Sequence, residues 1–217
     1  MTRRFGADST AEEVSEGIDL RGRTAVVTGV SAGLGIETAR VLAKRGARVV
    51  CVARDKEKTE KAVAALRAGD PKGQFEIAIL DLADLASVRR GADDVAKRFP
   101  RIDLLVNNAG VMACPLARTK EGLDLQLGTN HLGHYVLTTR LLPSLLAAAP
   151  GARIINLSSG GHRMSPFRVE DPLFERDAYD KWAAYGQAKT ANILFSVFLD
   201  ERYAARGLRA FAVHPGA

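Results

Sequence analysis

The chain has few cysteines, few aromatic residues and no long apolar run. Cys51 and Cys114 are the only cysteines in 217 residues, and aromatic residues make up 6%. Two cysteines exclude a disulfide scaffold and a cysteine-rich zinc site, and they favour a reducing compartment, so we expect a cytoplasmic protein. No apolar run approaches the ~18–20 residues of a transmembrane helix. The basic start Met1–Gly6 has no apolar stretch behind it, so no secretory signal is predicted.

Basic residues are scattered along the sequence and form no long run. The chain has 31 basic and 25 acidic side chains, a formal charge of +6, but no basic run is longer than the pairs Arg3–Arg4 and Arg89–Arg90. Scattered charge is typical of a solvated surface, so we do not expect nucleic-acid binding. His131 and His134 have no neighbouring cysteines or acids, and no metal site is predicted. The 47% hydrophobic content indicates one ordinary globular domain.

Short apolar runs alternate with longer amphipathic ones, the pattern of strands and helices in turn. Strands are predicted at residues 24–28, 48–53, 75–80, 102–106, 153–157 and 208–213, with helices at 33–45, 56–68, 85–98, about 122–149 and 183–205. Runs such as Val49–Ala53 are apolar without alternation, which is typical of strands covered on both faces. Strand–helix–strand units join parallel strands, so we expect an α/β fold, a doubly wound Rossmann-type sheet of six parallel strands.

The predicted elements also suggest how the chain is divided. Residues 1–22 are predicted as a polar leader and residues 23–217 as one domain. The irregular connection from Ser158 to about Trp182 is where a loop over a site would lie. Only His214–Ala217 follow the last predicted strand, and a sheet seldom ends its chain just after a strand. We therefore expect a chain truncated after the sixth strand, with the C-terminal part of the fold missing.

A glycine-rich turn, Thr28-Gly-Val-Ser-Ala-Gly-Leu-Gly35, joins the first predicted strand to the first predicted helix. Its three glycines allow a tight turn, close approach of a pyrophosphate, and close packing of the helix on the strand. The free N–H groups and the dipole of the helix start favour a phosphate there. A glycine-rich turn without a ligand is the alternative. The residues expected to bind a dinucleotide here are Gly29, Ser31, Gly33, Leu34 and Gly35.

The end of the second predicted strand indicates which nucleotide is preferred. Val52-Ala53-Arg54 stands where folds that prefer NAD place an acid on the ribose 2′-hydroxyl. Arg54 can form charge-assisted bonds to a 2′-phosphate, which a carboxylate would repel. We therefore expect NADP(H) to be favoured over NAD(H). Asp55 leaves two alternatives, because it could pair with Arg54 at the surface or turn toward the ribose.

Two further strand ends carry candidate cofactor residues. Asp81, followed by Leu82, can accept a hydrogen bond from an adenine amino group, or it can cap the next helix. The fourth strand ends in Asn-Asn-Ala-Gly, where Asn107, Ala109 and Gly110 are expected beside the cofactor. Small residues allow close approach, and asparagine side chains can tie neighbouring strands together. A plain turn after a strand is the alternative.

Tyr185 and Lys189 are four residues apart, so they lie on one face of a predicted helix. A free phenol ionises near pH ~10, too high for a base at neutral pH. A nearby ammonium, joined by the charge of an oxidised nicotinamide, favours the phenolate. Ser159 offers a hydroxyl to a substrate carbonyl, and Asn130 is a polar residue that can bend the long helix or hold a water. A loop serine and a polar-face residue are the alternatives.

Together these motifs resemble the short-chain dehydrogenase/reductase family. In open α/β sheets ligands bind beyond the carboxyl ends of the strands, and the candidate residues follow strands on that edge. The matching elements are Thr28-Gly-x-x-x-Gly-x-Gly, Asn107-Asn-Ala-Gly, Asn130, Ser159, Tyr185-x-x-x-Lys189 and Pro215-Gly216. Gly128-Thr-Asn-His-Leu-Gly-His is similar to the family's retinol dehydrogenase and WW-domain-containing oxidoreductase branch. The resemblance spans about residues 10–217 and indicates the family more sharply than the substrate.

The resemblance implies an oxidoreductase that interconverts an alcohol and a ketone or aldehyde, on an apolar small molecule. Ser159, with Ser158 as the fallback, would polarise the substrate oxygen, and Tyr185 would exchange a proton with it. Lys189 would hold the nicotinamide ribose and lead a proton relay through a water held by Asn130. The cofactor contacts implied by the last motif are Pro215 and Gly216.

Two points stay open at this stage. A nucleotide-binding regulatory or interaction module without turnover is the alternative to an enzyme, and association into a homo-oligomer is not decided by the residues.

Overall fold

The computed structural model describes residues 5–6 and 8–216; residues 1–4 and 7 of the predicted leader, with the Arg3–Arg4 pair, and residue 217 lie outside the described residues. The strands are β1 Thr24–Thr28, β2 Arg48–Ala53, β3 Gln74–Ile79, β4 Leu104–Asn107, β5 Arg153–Leu157 and β6 Arg209–Val213. The α-helices are α1 Ala11–Val14, α2 Leu34–Lys44, α3 Lys56–Gly69, α4 Leu85–Arg98, α5 Leu125–Leu127, α6 Gly133–Ala147 and α7 Lys181–Tyr203. A π-helical segment occupies Gly128–Leu132, and 3₁₀ turns lie at Gly160–Met164 and Ala204–Arg206.

The six strands form one parallel sheet in the order β3-β2-β1-β4-β5-β6. This is the doubly wound arrangement expected from the alternation of strands and helices. The strand order reverses between β1 and β4, so the connections that leave these two strands diverge to opposite faces of the sheet. A crevice therefore opens at the carboxyl edge between them, which is where ligands bind in such sheets.

Both faces of the sheet are covered at β1, β2 and β4, which is why these strands lack polar alternation. The edge strands β3 and β6 are more exposed. Successive residues of β1 point to opposite faces. Val26 joins the apolar cluster formed with α4, α6 and α7, and Val27 joins the cluster formed with α2 and α3. Helix α6 contributes a stripe at every fourth residue, and each full burial contributes about 1.5–3 kcal/mol. The fully buried leucines of this stripe are Leu137, Leu141 and Leu145.

Part of the predicted leader is ordered against the domain. Helix α1 begins with a capping box in which Thr10 and Glu13 bond each other's backbone N–H groups. Glu12 then forms ion pairs with Arg40 and Lys44 of α2. The leader is thus attached to the outside of α2 by polar contacts. The Thr10-x-x-Glu13 spacing is the sequence signal for this short helix.

The long helix predicted over about 122–149 is divided into three segments. The short helix α5 runs into the π-helical segment Gly128–Leu132, and α6 follows it. Glycine is needed where α6 begins, because a Cβ on Gly133 would lie 2.6 Å from the carbonyl oxygen of Leu82. Single π turns inside α-helices are frequent at functional sites. Here the π turn carries Asn130, the residue for which the sequence allowed either a local bend or a bound water.

In the part of the chain that the structure describes, no helix combines the length and the apolar character needed to cross a bilayer.

Candidate active site

A cleft of about 370 Å³ lies at the carboxyl edge of the sheet, where the strand order reverses. It is lined by the turn after β1 and by the ends of β2, β3 and β4. Eight of the predicted cofactor residues line it: Gly29, Ser31, Leu34, Arg54, Asp81, Leu82, Ala109 and Gly110. The other lining residues, which the sequence did not single out as cofactor contacts, are Thr28, Ala32, Val52, Ala53, Leu80, Asn108, Val111 and Thr129.

The glycine-rich turn owes its shape to residues that accept no side chain. Gly29 and Gly33 have φ values of 79° and 62°, in the region that favours glycine. A Cβ on Gly35 would overlap the carbonyl oxygen of Gly29 and lie 2.7 Å from Nδ2 of Asn108. Gly33 and Gly35 therefore shape the turn and bring α2 close to it, although neither is among the residues that line the cleft.

Thr28 ties this turn to the connection after β4. Its hydroxyl oxygen accepts hydrogen bonds from the backbone N–H groups of Asn108 and Ala109, at 2.9 and 3.0 Å. It also lies 2.9 Å from Nε2 of His134, whose Nδ1 is 3.1 Å from the carbonyl oxygen of Asn130. A carbonyl only accepts, so Nδ1 carries the proton and Nε2 accepts from the Thr28 hydroxyl. The turn, the β4 connection and the π segment are thus joined by one buried network.

His134 remains a neutral imidazole in this network. It is 2% exposed, and burial lowers its pKa from 6.5 to about 4. A neutral ring keeps one donor and one acceptor, which is what its two partners require. Nothing in the sequence except its place in the Gly128–His134 motif distinguished this histidine from an ordinary buried one.

The end of β2 separates the roles of Arg54 and Asp55. Arg54 is exposed and lines the cleft. Asp55 is the N-cap of α3, where its carboxylate accepts from the backbone N–H of Lys58 at 3.0 Å. The sequence suggested that Asp55 either pairs with Arg54 or turns toward the ribose. The structure shows a third role, the helix cap. The guanidinium is left as the charged group at this end of the cleft.

The end of β3 places its two acids differently. Asp81 lines the cleft, and one carboxylate oxygen accepts from the backbone N–H of Ala83 at 2.9 Å. Asp84, not Asp81, is the N-cap of α4, where it accepts from the backbone N–H of Ser87. The capping role considered for Asp81 is therefore taken by Asp84, and Asp81 remains among the residues that line the cleft.

Asn107 acts between strands and does not line the cleft. Its side-chain N–H₂ group donates to Oγ1 of Thr138 at 2.9 Å and to Oδ1 of Asn156 at 2.7 Å. Asn156 in turn donates to Oγ of Ser196 on α7. This buried chain ties β4 to β5 and to both flanking helices, which is the strand-tying role that the sequence allowed.

A smaller cleft of about 180 Å³ adjoins the first and is lined by two of the predicted catalytic residues, Tyr185 and Lys189. Tyr185, Lys189 and Pro215 line it, together with Asn108 and Gly110 from the β4 connection. Of the two candidate serines, Ser158 lines this cleft and Ser159 does not, and Asn130 also lies outside the lining. Gly110 lines both clefts and packs closely on Asn130, because a Cβ there would lie 3.0 Å from Oδ1 of Asn130. The nucleotide-sized cleft and the Tyr–Lys pair are thus continuous through residues they share.

Lys189 is held as a buried cation beside the phenol. The residue is 6% exposed, and its Nζ donates to the carbonyl oxygen of Leu157 at 3.0 Å. Nζ lies 5.5 Å from the centre of the Tyr185 ring. Burial lowers the Lys189 pKa from 10.5 to about 8. The ammonium is still the major form at neutral pH, so a positive charge lies beside the Tyr185 ring.

The Tyr185 ring packs directly against Gly161, a residue that the sequence did not single out as part of the site. A Cβ on Gly161 would lie 2.8 Å from Cε1 of the ring. Gly161 belongs to the 3₁₀ turn that follows Ser159, so this turn packs against the Tyr185 ring of α7. The doubled glycine after Ser159 was the available sequence signal.

The two neighbouring serines have different surroundings. Ser158 is buried, and its hydroxyl donates to the carbonyl oxygen of Lys189 at 3.1 Å. Ser159 is half-buried, and its hydroxyl oxygen accepts from the backbone N–H of Gly161 at 3.1 Å. The Ser159 hydroxyl therefore keeps its own hydrogen to donate, whereas Ser158 anchors the helix backbone at Lys189.

Asn130 is fully buried, and both ends of its side-chain amide bond the backbone of Val111. Oδ1 accepts from the N–H of Val111 and Nδ2 donates to the Val111 carbonyl, each at 2.8 Å. Its own carbonyl accepts from His134 and from Nδ2 of Asn192. A relay water on Asn130 would have to share that carbonyl with two protein donors.

Three other predictions concern the chain end, the cysteines and metals. Gly216 follows Pro215 with a φ of 100° and is exposed. Both cysteines are free. Among residues 5–6 and 8–216, no group of three or more His, Cys, Asp or Glu side chains is arranged to hold a metal ion.

The chain is similar in sequence and in fold to known proteins. The family model described as short chain dehydrogenase matches residues 23–171. Mouse retinol dehydrogenase 12 is 42% identical over 199 residues, which cover 92% of this chain and 62% of the mouse protein. A crystal structure of a Mycobacterium paratuberculosis protein has a TM-score of 0.81 and 43% identity, covering 92% of this chain and 70% of that one. The Pseudomonas aeruginosa RhlG/NADP active-site complex has a TM-score of 0.74 and 29% identity, covering 91% and 73%. The chain thus spans about three fifths of the length of its curated mouse relative.

Proposed function

The chain belongs to the short-chain dehydrogenase family, and its sequence is similar to the retinol dehydrogenases of that family. On this premise we propose that it is an NADP(H)-dependent oxidoreductase that interconverts an alcohol and a ketone or aldehyde. The observation that carries the proposal is the continuity of the two clefts, because it leads from the glycine-rich turn directly to Tyr185 and Lys189. A nicotinamide, when bound, supplies the hydride chemistry.

The residues of the larger cleft fit a dinucleotide. Gly29 lines the cleft with bare backbone, which a pyrophosphate can approach. Packing requires glycine there, since a Cβ would lie 2.9 Å from Nδ2 of Asn108. Asp81 offers a carboxylate oxygen of the kind that an adenine amino group requires, and Ala109 and Gly110 leave room beside the nicotinamide end. A volume of about 370 Å³ is in the usual range for small-molecule sites.

Arg54 supports NADP(H) over NAD(H). It is the charged group at the end of β2, and Asp55 is occupied as a helix cap. A guanidinium forms charge-assisted hydrogen bonds to a phosphate, whereas it gains less from a ribose hydroxyl. The NADP complex of the Pseudomonas aeruginosa RhlG protein agrees with this choice.

The surroundings of each side chain support the chemical role proposed for it. Ser159 donates its hydroxyl hydrogen to the substrate oxygen and polarises the C–O bond. Tyr185 gives a proton to that oxygen in reduction and removes one in oxidation. The Lys189 ammonium, 5.5 Å from the ring centre, stabilises the phenolate that forms, and it is the group placed to hold the nicotinamide ribose.

An apolar substrate is supported by the walls of the smaller cleft. Leu34 and Met112 line it and are 58% and 63% exposed. Exposed apolar side chains at the mouth of a site favour an apolar ligand, since burying them releases ordered water. Retinol, named for the mouse relative, belongs to this substrate class. The two free cysteines support a reducing compartment such as the cytoplasm.

The test of the proton donor is Tyr185→Phe. We expect turnover of NADPH with aldehydes and ketones, retinal included, to fall about 100- to 10,000-fold, the range for loss of general acid–base catalysis. NADPH affinity should change less than about threefold, because the ring stays on Gly161. Tyr203→Phe, near the end of the same helix, is the matched control. A wild-type chain that binds NADPH but turns over no alcohol or carbonyl would instead favour a nucleotide-binding module.

The test of cofactor choice is Arg54→Ala. Loss of a charge-assisted bond of about 1.5–3 kcal/mol corresponds to a roughly 10- to 100-fold weaker NADPH affinity, with little change for NADH. Arg48→Ala, at the opposite end of β2, is the control and should leave both affinities unchanged. Retention of the NADPH preference by the Arg54 variant would remove the basis for this assignment.

A further inference from the structure

Asn192 is a buried polar side chain on α7, three residues beyond Lys189 and 3% exposed. A buried amide is costly unless all its hydrogen-bonding groups find partners. Here they do. Nδ2 donates to the carbonyl oxygen of Leu157 at 3.0 Å and to that of Asn130 at 3.2 Å, and Oδ1 lies 3.0 Å from Nδ1 of His131.

The orientation of this amide is determined by its partners. Two carbonyl oxygens can only accept, so the side of the amide that faces them must be the N–H₂ group. The other side is then the oxygen, and His131 must carry its proton on Nδ1 to donate to it. Burial lowers the His131 pKa, which keeps that ring neutral, with a single N–H available for this bond.

Both carbonyls that Asn192 holds belong to the chemical end of the site. The Leu157 carbonyl is the acceptor of the Lys189 ammonium, also at 3.0 Å. The Asn130 carbonyl lies on the π segment. The side chain of the same residue forms two hydrogen bonds with the backbone of Val111, which lines both clefts. One amide therefore joins the anchor of the catalytic lysine on β5 to the π segment across the site.

We propose that Asn192 is a positioning residue that sets the distance between the Leu157 carbonyl, which anchors Lys189, and the π segment that carries Asn130. Its catalytic readout rests on the proposed oxidoreductase function. Without the amide, the Leu157 carbonyl has the ammonium as its remaining side-chain partner, and the Asn130 carbonyl loses one of its two side-chain donors. The Leu157 carbonyl is then no longer tied to the π segment, so it can shift together with Lys189 and change the distance between the ammonium and the phenol.

The test compares Asn192→Leu with Ser196→Ala in the 217-residue chain. Ser196 lies one turn further along α7 and is 3% exposed. Its hydroxyl accepts from Asn156 and donates to the backbone carbonyl oxygen of Asn192, so it does not touch the Asn192 amide or the lysine anchor. Both changes leave buried groups without partners, so both should lower the melting temperature. Only Asn192→Leu should lower kcat, by about 10- to 100-fold, the range for removal of a supporting group.

A second variant covers the case in which Asn192→Leu does not fold. His131→Phe keeps the aromatic contacts with Tyr135 and Phe195 but removes the donor that orients the Asn192 amide. We expect a smaller loss of kcat, about three- to tenfold, in the same direction. Each variant is compared with Ser196→Ala at equal folded fraction.

A readout independent of turnover is the ionisation of Lys189 in the cofactor-free protein. The Nζ signal is followed by ¹⁵N NMR against pH and is assigned with Lys189→Met. We expect its pKa to rise in Asn192→Leu, since the amide hydrogens no longer share the Leu157 carbonyl, and to stay unchanged in Ser196→Ala. If the wild-type chain shows no turnover, the proposed function fails, and this measurement still decides the role of Asn192. An unchanged Lys189 pKa, or a kcat within about twofold of the Ser196 variant, would overturn the positioning role.

Discussion

Replacing the buried lysine should make the protein more stable while abolishing its chemistry. Lys189 is 6% exposed, and burial lowers its pKa from 10.5 to about 8. At about 1.4 kcal/mol for each pKa unit, this difference means that the buried ammonium costs about 3 kcal/mol at neutral pH. Lys189→Met also loses the hydrogen bond to the Leu157 carbonyl, worth about 1 kcal/mol. The net expectation is a variant more stable than wild type by about 2 kcal/mol at pH 7.

The stability difference between Lys189→Met and wild type should depend on pH in a definite direction. The folded protein releases the lysine proton at about pH 8 and the unfolded chain releases it near 10.5, so the unfolded state binds more protons between these values. Wild-type stability therefore rises with pH across that window, and below about pH 8 the cost is fully present. Lys189→Met lacks this group, so its advantage should shrink from pH 7 to pH 10 and then disappear.

The measurement is urea unfolding of both proteins at pH 7 and pH 10, with the difference between them as the quantity of interest. Lys181→Met is the control, because Lys181 is exposed on the same helix and should change stability by less than about 0.5 kcal/mol. An Lys189 variant that is less stable than wild type at pH 7, or whose advantage is the same at both pH values, would refute the reasoning. The expected exchange of stability for function is typical of residues kept for chemistry.

Two further predictions concern the network behind the site. His134 has a pKa lowered from 6.5 to about 4, so wild type should lose about 3 kcal/mol more than His134→Gln as the pH falls from 6.5 to 4; equal losses in urea unfolding would contradict this. Gly35→Ala should lower stability by at least about 1–3 kcal/mol and abolish NADPH binding measured by fluorescence, because its Cβ overlaps the Gly29 carbonyl. Gly69→Ala, which meets open space at the end of α3, should change neither, and a normal Gly35 variant would show that the turn is less tightly packed than described.

Much of the fold could be predicted because its signals are local. All six strands were expected within two residues of their observed bounds at each end, since runs such as Val49–Ala53 are buried on both faces. The division of the helix over about 122–149 was not expected as a π segment. It depends on contacts between distant residues, such as Gly133 against Leu82 and Asn130 against Val111.

The candidate site was predicted as a set of positions rather than as a geometry. Arg54, Asp81 and Gly110 could be placed at one edge because the carboxyl ends of parallel strands meet there. Their individual roles needed the structure. Asp55 and Asp84 are helix caps, which leaves the neighbouring Arg54 and Asp81 to face the cleft.

The amino-acid order by itself determined the strands, the glycine-rich turn and the pairing of Tyr185 with Lys189 on one helix face, because each depends on residues close together in the chain. Only the tertiary structure decided that Thr28 and His134 share a network and that Asn192 shares a carbonyl with Lys189. A buried donor must find its acceptor wherever packing brings one within reach, and no spacing along the chain records which acceptor that is.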